Sequence, residues 1–319
     1  MRPGLSLGVH VGQQNATMAE LVALWQRLDG VVDWISLWDH LYEAPPAGGQ
    51  TPHFEAIATL GALASVTERA RLGCLMFCVP YRNPALLAKA CVAIDHISQG
   101  RFEPGFGAGW HAPEFRAHGY EFPDVGTRFD MLGEGLEIIS SMLSGGTDGS
   151  TSFAGDHYRV DAVTCVPGPF AGAIPLWTGG SGRTRTPENA AKFCSGWNVP
   201  YVGPAEFRLL NDRLDAACEA IGRDPATLER SVNLAFHVAA TATAADAELA
   251  RIVAQWGEEI APRVTAGALT GTPDRAVDRI AEYREAGADM VNVALRLPVD
   301  TDALEAYLTD IVPAARSIA

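Results

Sequence analysis

Apolar positions along the chain recur at two alternating periods, every second residue and then every third or fourth, the pattern of strands followed by helices. Leu5, Leu7, Val9 and Val11 share one face of a first strand, leaving Ser6, Gly8 and His10 on the other. If the apolar face packs on helices, His10 looks into the interior. Thr17 and Glu20 form a capping box, and Leu21, Leu24, Trp25 and Leu28 make the stripe of a first helix. Residues 34–38 read as a second strand that ends in Asp39 and His40. A loop with Pro45, Pro46, Gly48 and Gly49 leads to a second helix over about 54–66 and a third strand over 71–78. Asn83 caps a third helix whose first turn takes Pro84; Leu87, Ala90, Ile94 and Ile97 follow at helical spacing, and Gly100 ends it. Residues 101–106 form a fourth strand, and Gly105, Gly107 and Gly109 open a loop carrying Trp110, His111 and Glu114.

A fourth helix spans about 126–143, and residues 144–173 are an excursion with little helical period. Regular units resume with strands over 174–178, 196–199, 231–239 and 290–294, and helices over 187–193, 204–221, 273–287 and 301–318. Thr272 and Pro273 start the third of these helices. Eight strand–helix alternations with a small insertion after the fourth helix predict an α/β fold, a (β/α)8 TIM barrel, in a single domain over residues 1–319. A doubly wound dinucleotide fold is the competitor. Against it, the third glycine of Gly105-x-Gly107-Ala108-Gly109 comes too early for G-x-G-x-x-G, and His111-Ala112-Pro113 does not open a helix at once.

Composition narrows the partners. With 48% hydrophobic and 19% charged residues the chain can bury a large core. Its 38 acidic and 24 basic side chains give a formal charge of −14, and no stretch gathers Lys and Arg into a stripe, so nucleic acid is not expected as a partner. No apolar run reaches the length of a membrane span, and Met1-Arg2-Pro3-Gly4 leads straight into a strand, which points to the cytoplasm. Among the six cysteines, Cys74 and Cys78 share a strand face roughly 13 Å apart, too far for a disulfide. All six read as reduced thiols. No metal is expected: the first strand lacks H-x-H at Val9-His10-Val11-Gly12, and Gly180-Ser181-Gly182 is not a nucleophile elbow.

In such a barrel the site lies at the carboxyl ends of the strands. That rim collects His10, Asp39, His40, Cys78, residues 107–111, residues 179–182 and Asn198. Adjacent Asp39 and His40 cannot both point inward from a regular strand, so one reaches a ligand and the other is held by a neighbouring loop. A His with a carboxylate near it titrates close to neutrality and can exchange a proton. Gly179, Gly180, Ser181 and Gly182 suit an anion, with Arg183 and Arg185 alongside. His10, Trp38, Tyr42, Trp110 and His111 line the side that receives a small-molecule substrate.

Three motifs occur in one order: Y-R-N-P-x-L-L-A-K from Tyr81 to Lys89, D-H-I-S-Q-G-R-F from Asp95 to Phe102, and G-x-G-A-G-W-x-x-x-E-F from Gly105 to Phe115. In these the chain resembles the luciferase-like monooxygenase family, and more narrowly its branch that uses the deazaflavin coenzyme F420. The resemblance implies an oxidoreductase that binds coenzyme F420, with FMN as the alternative, and a homodimer. It implies that Asp39 and His40 lie beside the coenzyme ring, His40 near the reactive carbon, and that a cis peptide at Leu75–Met76 backs the ring. Cys78, Gly107, Ala108 and Gly109 complete that wall, and residues 179–182 take the phosphate. Trp110 departs from the sugar-phosphate dehydrogenases of the branch, which carry a carboxylate there, and Ala44 stands where they have tryptophan; a bulkier, more apolar substrate is favoured. Pro104 within the fourth strand suggests a bulge, and Ser195 replaces a common Asp. Two rivals remain, a monooxygenase using reduced FMN and oxygen, and a non-catalytic flavin-binding subunit.

Overall fold

A computed structural model describes residues 4–43, 49–144, 149–239 and 241–318. Ala44, Pro45, Pro46 and Gly48, and part of the turn after residue 144, lie outside the described residues. Eight parallel strands close on themselves: β1 (Ser6–Val11), β2 (Trp34–Leu37), β3 (Arg71–Cys78), β4 (Phe102–Gly107), β7 (Trp177–Gly179), β8 (Gly196–Pro200), β9 (Glu229–Val238) and β11 (Met290–Leu295), the last pairing with both β9 and β1. Around them lie α1 (Met18–Leu28), α2 (Ala56–Ala64), α3 (Pro84–Ile97), α5 (Val125–Leu143), α6 (Arg185–Phe193), α7 (Pro204–Ala220) and α9 (Pro273–Glu285). The fold is the (β/α)8 barrel that the alternation predicts. Leu5, Leu7, Val9 and Val11 pack in the core between barrel and helices, and the capping box at Thr17 and the Asn83 cap both form.

The structure adds elements the pattern does not show. The excursion is an antiparallel hairpin of β5 (Ser150–Ala154) and β6 (Arg159–Thr164), held by the Glu134 carboxylate, which accepts from the N–H groups of Asp156, His157 and Tyr158. A short helix α4 (Ala112–Ala117) does open directly after His111, with Pro113 in its first turn. Between β9 and α9 lie α8 (Ala242–Ala266) and β10 (Ala268–Gly271). β10 pairs with residues 235–238 of β9, beyond the stretch taken by β8, and so lengthens one side of the wall toward the carboxyl end. The last helix is divided: α10 (Thr301–Ala306) and α11 (Val312–Ala315) flank a π-helical turn at Tyr307–Ile311.

Large side chains plug the amino end of the barrel. Trp34 and Trp177 meet with ring centroids 5.2 Å apart and pack with Leu75, Met290 and Met76. Glycines make the room: a Cβ on Gly73 would stand 2.1 Å from the Trp34 ring, and one on Gly196 2.3 Å from Trp177. Each buried indole removes roughly 150–250 Å² from water, about 4–6 kcal/mol at ~25 cal/mol/Å². The buried Arg71 guanidinium lies 5.1 Å from the Trp34 centroid and reaches Glu103 at 3.1 Å and Glu229 at 2.8 and 3.0 Å. The Trp177 Nε1–H donates to Glu103 at 3.0 Å.

The bulge falls on β3, not at Pro104 on β4. Cys74 pairs with Pro104 and Phe77 with Phe106, so three steps along β3 match two along β4. Leu75 and Met76 both turn to the interior, and the peptide bond between them is cis. The extra residue reverses the alternation, which separates Cys74, in the outer core, from Cys78, packed with Tyr81 and Phe115. The two cysteines therefore do not share a face. All six cysteines are free.

Candidate active site

Asp39 does not face the mouth. Its side chain, 1% exposed, accepts from Arg82 Nη1 at 2.5 Å, Arg82 Nη2 at 2.7 Å and the Cys78 N–H at 2.9 Å. Burial raises the carboxyl above its ordinary pKa, while Arg82 and the Cys78 N–H pull it back down. The residue ties the end of β2 to the connection between β3 and α3. Both carboxylate oxygens of Asp39, which the family resemblance sets beside a coenzyme ring, accept hydrogen bonds within the protein.

His40 is the member of the pair that turns inward. It is 15% exposed, and its Nδ1 lies 2.9 Å from Glu114 Oε2. Rings surround it nearly edge to face: Trp110 at 5.7 Å, His111 at 6.1 Å and Trp38 at 6.3 Å between centroids. The carboxylate beside His40 is thus Glu114, on α4, and not Asp39. Glu114 also accepts from the Tyr81 O–H at 2.9 Å, the Tyr42 N–H at 3.2 Å and the Leu41 N–H. Burial pushes its carboxyl up, but the bonds from His40, Leu41 and Tyr81 outweigh this and hold it down at about 2. Only the Glu in the W-x-x-x-E-F motif signalled it in the sequence.

His10 does point inward, as the strand parity predicts. Its Nδ1 lies 2.8 Å from Ser36 Oγ and its ring 5.3 Å from Trp38. Burial, with His40 and Arg296 nearby, lowers it to about 3, so it is a neutral imidazole. Tyr42 stands beside His111 at 6.1 Å and His118 at 5.6 Å. On β3, Met76 reaches along the wall toward β4 and β7: its Sδ lies 2.3 Å from a Cβ built on Gly105, and its Cε 2.6 Å from one on Gly179. Only glycine leaves this space.

Residues 33–290 match the family model described as luciferase-like monooxygenase. The chain belongs to the luciferase-like monooxygenase family. Pyrimidine monooxygenase RutA of Agrobacterium fabrum is 31% identical over 188 residues, which cover 56% of this chain and only half of that enzyme's length. An uncharacterized protein of Mycobacterium tuberculosis is 30% identical over 232 residues, covering 71% of this chain and 72% of that one. An F420-dependent secondary alcohol dehydrogenase, solved with an F420–acetone adduct, superposes with a TM-score of 0.85 at 18% identity, over 98% of this chain and 99% of that one. Members of this family are oxidoreductases or monooxygenases.

In this luciferase-like barrel the remaining rim residues divide into accessible and internal ones. Gly107, Ala108, Gly109, Gly179 and Gly180 are half-buried, and Ser181 and Gly182 are exposed. Cys78 is internal: burial raises its thiol well above the ordinary value, its side chain packs under Gly109, and its N–H goes to Asp39. Asn198 is also internal, donating to Ser231 at 2.7 Å and Asn233 at 3.0 Å inside the barrel. Leu75 is buried and packs with Trp34, Trp177 and Met290. In the 179–182 loop the Gly180 N–H is spent on the Asn198 carbonyl, and Arg185 is tied to Gly126 and Asp130. What the loop offers an anion is the first turn of α6. Thr184 makes no side-chain cap there, and the buried Thr186 Oγ1, within 2.4 Å of a Cβ built on Gly182, has no hydrogen-bond partner.

A cavity of about 470 Å³ opens at the other end of the barrel, lined by Asp215, Asp224, Arg230, Arg284 and Asp289. Its arginines are already paired with Asp215 and Asp289. Among the described residues no helix is long and apolar enough to cross a membrane.

Proposed function

We propose that this chain transfers a hydride between coenzyme F420 and a small organic substrate held at the carboxyl-end rim. The observation that carries this reading is His40. One ring nitrogen is engaged by a buried carboxylate, the other makes no bond to the described residues, and aromatic side chains surround it. Such a residue can exchange the proton that accompanies hydride transfer to or from a carbon–oxygen bond. When bound, the deazaflavin supplies or accepts the hydride at its ring carbon.

The residues suit such a coenzyme. Met76 and the cis-linked Leu75 give an apolar wall, Gly107 and Ala108 allow close approach, and the unpartnered Thr186 hydroxyl at the start of α6 suits a phosphate. Trp38, Tyr42, Trp110 and His111 then hold the substrate and limit water around His40. Their apolar faces fit a flat or bulky organic molecule better than a sugar phosphate. Titrating the coenzyme-free protein with F420 and with FMN tests the reading. Saturation at lower F420 concentration is expected, and tighter binding of FMN would overturn it.

The pyrimidine monooxygenase relative favours a second reading, oxygenation with reduced FMN. The same titration separates the two, and oxygen consumption dependent on reduced FMN would support the second.

A further inference from the structure

We infer that Glu114 is a positioning residue that fixes the tautomer of His40, holding the proton on Nδ1 and turning the lone pair of Nε2 toward the rim. The inference rests on His40 as the proton-handling group, but the tautomer is a property of the free protein.

Every acceptor site of the Glu114 carboxylate is matched with a donor. Oε1 takes the backbone N–H groups of Leu41 and Tyr42, which cannot reverse their polarity. Oε2 takes the Tyr81 O–H at 2.9 Å and faces His40 Nδ1 at 2.9 Å. The side chain is 1% exposed and its carboxyl is held at about 2, so near neutrality it has no proton to donate. Nδ1 must therefore be the donor. The rest of the residue is fixed as well: the His40 carbonyl accepts from His53 Nε2 at 2.8 Å. Neutral imidazole carries one ring proton, so Nε2 is left as the base.

In the oxidative direction, with a bound oxidised deazaflavin to accept the substrate's C–H hydride, Nε2 would take the hydroxyl proton as the C–O bond becomes a carbonyl. The resulting imidazolium donates from Nδ1 to Glu114. In the reductive direction the same proton returns to the carbonyl oxygen.

Glu114→Gln makes the inference sharp. The carboxamide oxygen satisfies Leu41 and Tyr42, which forces its NH2 group toward Tyr81 and His40. Tyr81 can turn its hydroxyl to accept; His40 can accept only by moving its proton to Nε2. The base is then lost with little change in shape. Where a buried carboxylate orients a catalytic His, the carboxamide replacement costs on the order of 10⁴ in kcat.

The test is long-range 1H–15N correlation on protein labelled at its histidines, without coenzyme, at a pH where His40 is neutral, with the His40 signals assigned by their absence in His40→Gln. The expected result is protonated Nδ1 in the wild type and in Tyr81→Phe, and protonated Nε2 in Glu114→Gln. In turnover, Glu114→Gln is expected to lower kcat 10³-fold or more with KM within about threefold. A wild-type His40 protonated at Nε2 overturns the inference, even if Glu114→Gln fails to fold. So does a Glu114→Gln spectrum identical to the wild type. Preferential FMN binding would overturn the proposed coenzyme while leaving a protonated Nδ1 standing, so the two failures are distinguishable.

Discussion

Replacing Arg82 by Met isolates what the Asp39–Arg82 pair contributes. Asp39 is 1% exposed and Arg82 is the cation bonded to it; without Arg82 the carboxylate keeps only the Cys78 N–H at 2.9 Å. Removing one partner of a buried ion pair costs about 3–5 kcal/mol, because the remaining charge is neither hydrated nor paired. Arg82 also meets Glu55 at 2.8 Å, but Glu55 is 44% exposed and, screened by water, adds little. At roughly 2–4 °C per kcal/mol, Tm falls by roughly 6–20 °C. The pH dependence has a definite sign. Burial already raises the Asp39 pKa in the native protein, and the Arg82 contacts are the main force lowering it. A group with a raised folded pKa stabilises below its unfolded value, and that stability is lost as pH rises through the folded pKa. Arg82→Met raises the folded value further and extends the loss toward neutral pH. Urea denaturation at pH 5 and pH 8 should therefore show a larger deficit at pH 8, and Asp39→Asn added to Arg82→Met should recover part of it. A deficit under 1 kcal/mol at both pH values, or one larger at pH 5, would refute the reasoning.

Four further outcomes can be checked. Arg71→Met should destabilise by about 3–5 kcal/mol in chemical denaturation, since it removes the cation that two buried or half-buried carboxylates, Glu103 and Glu229, share, and adding Glu103→Gln and Glu229→Gln should restore much of it. Trp110, 63% exposed, can be replaced by Ala with Tm almost unchanged, while KM for an aromatic substrate rises about 2- to 12-fold from lost stacking worth about 0.5–1.5 kcal/mol. Thr186→Val should weaken a phosphate-bearing coenzyme about 10- to 100-fold, as for one hydrogen bond to a charged group, measured by the same titration. Of the six cysteines only Cys165 is partly exposed, so a bulky thiol reagent should modify about one thiol in native protein and six after unfolding.

The barrel was legible because its repeating units carry strong local signals. Thr17 with Glu20 and Asn83 with Pro84 mark helix starts chemically, Pro273 opens another although Thr272 before it makes no side-chain cap, and the strand of residues 5–11 alternates cleanly. The elements that escaped lack those signals. α8 contains Gly257 in a non-helical conformation and Pro262, which break any period, and β10 has only four residues. The β5–β6 hairpin buries only a few residues, Thr151 fully and Phe153, Val160 and Val163 in part, and a register shift between Thr151 and Phe153 interrupts the pairing, so its alternation is short and weak. In the site, the sequence singled out His40 but not the carboxylate bonded to it. Asp39 is its neighbour in sequence, whereas Glu114 reaches it across 74 residues through a six-residue helix. Likewise the shared face of Cys74 and Cys78 follows from regular strand parity, which one extra residue in β3 reverses.

The plug formed by Trp34, Trp177 and the Arg71 cluster gives the barrel a filled floor, so that among the described residues the open end is the carboxyl-end rim. Traffic through one door has to queue. A coenzyme lodged deep against Met76 would arrive before the molecule that covers it and depart after the product, so turnover would follow a compulsory order rather than a random one.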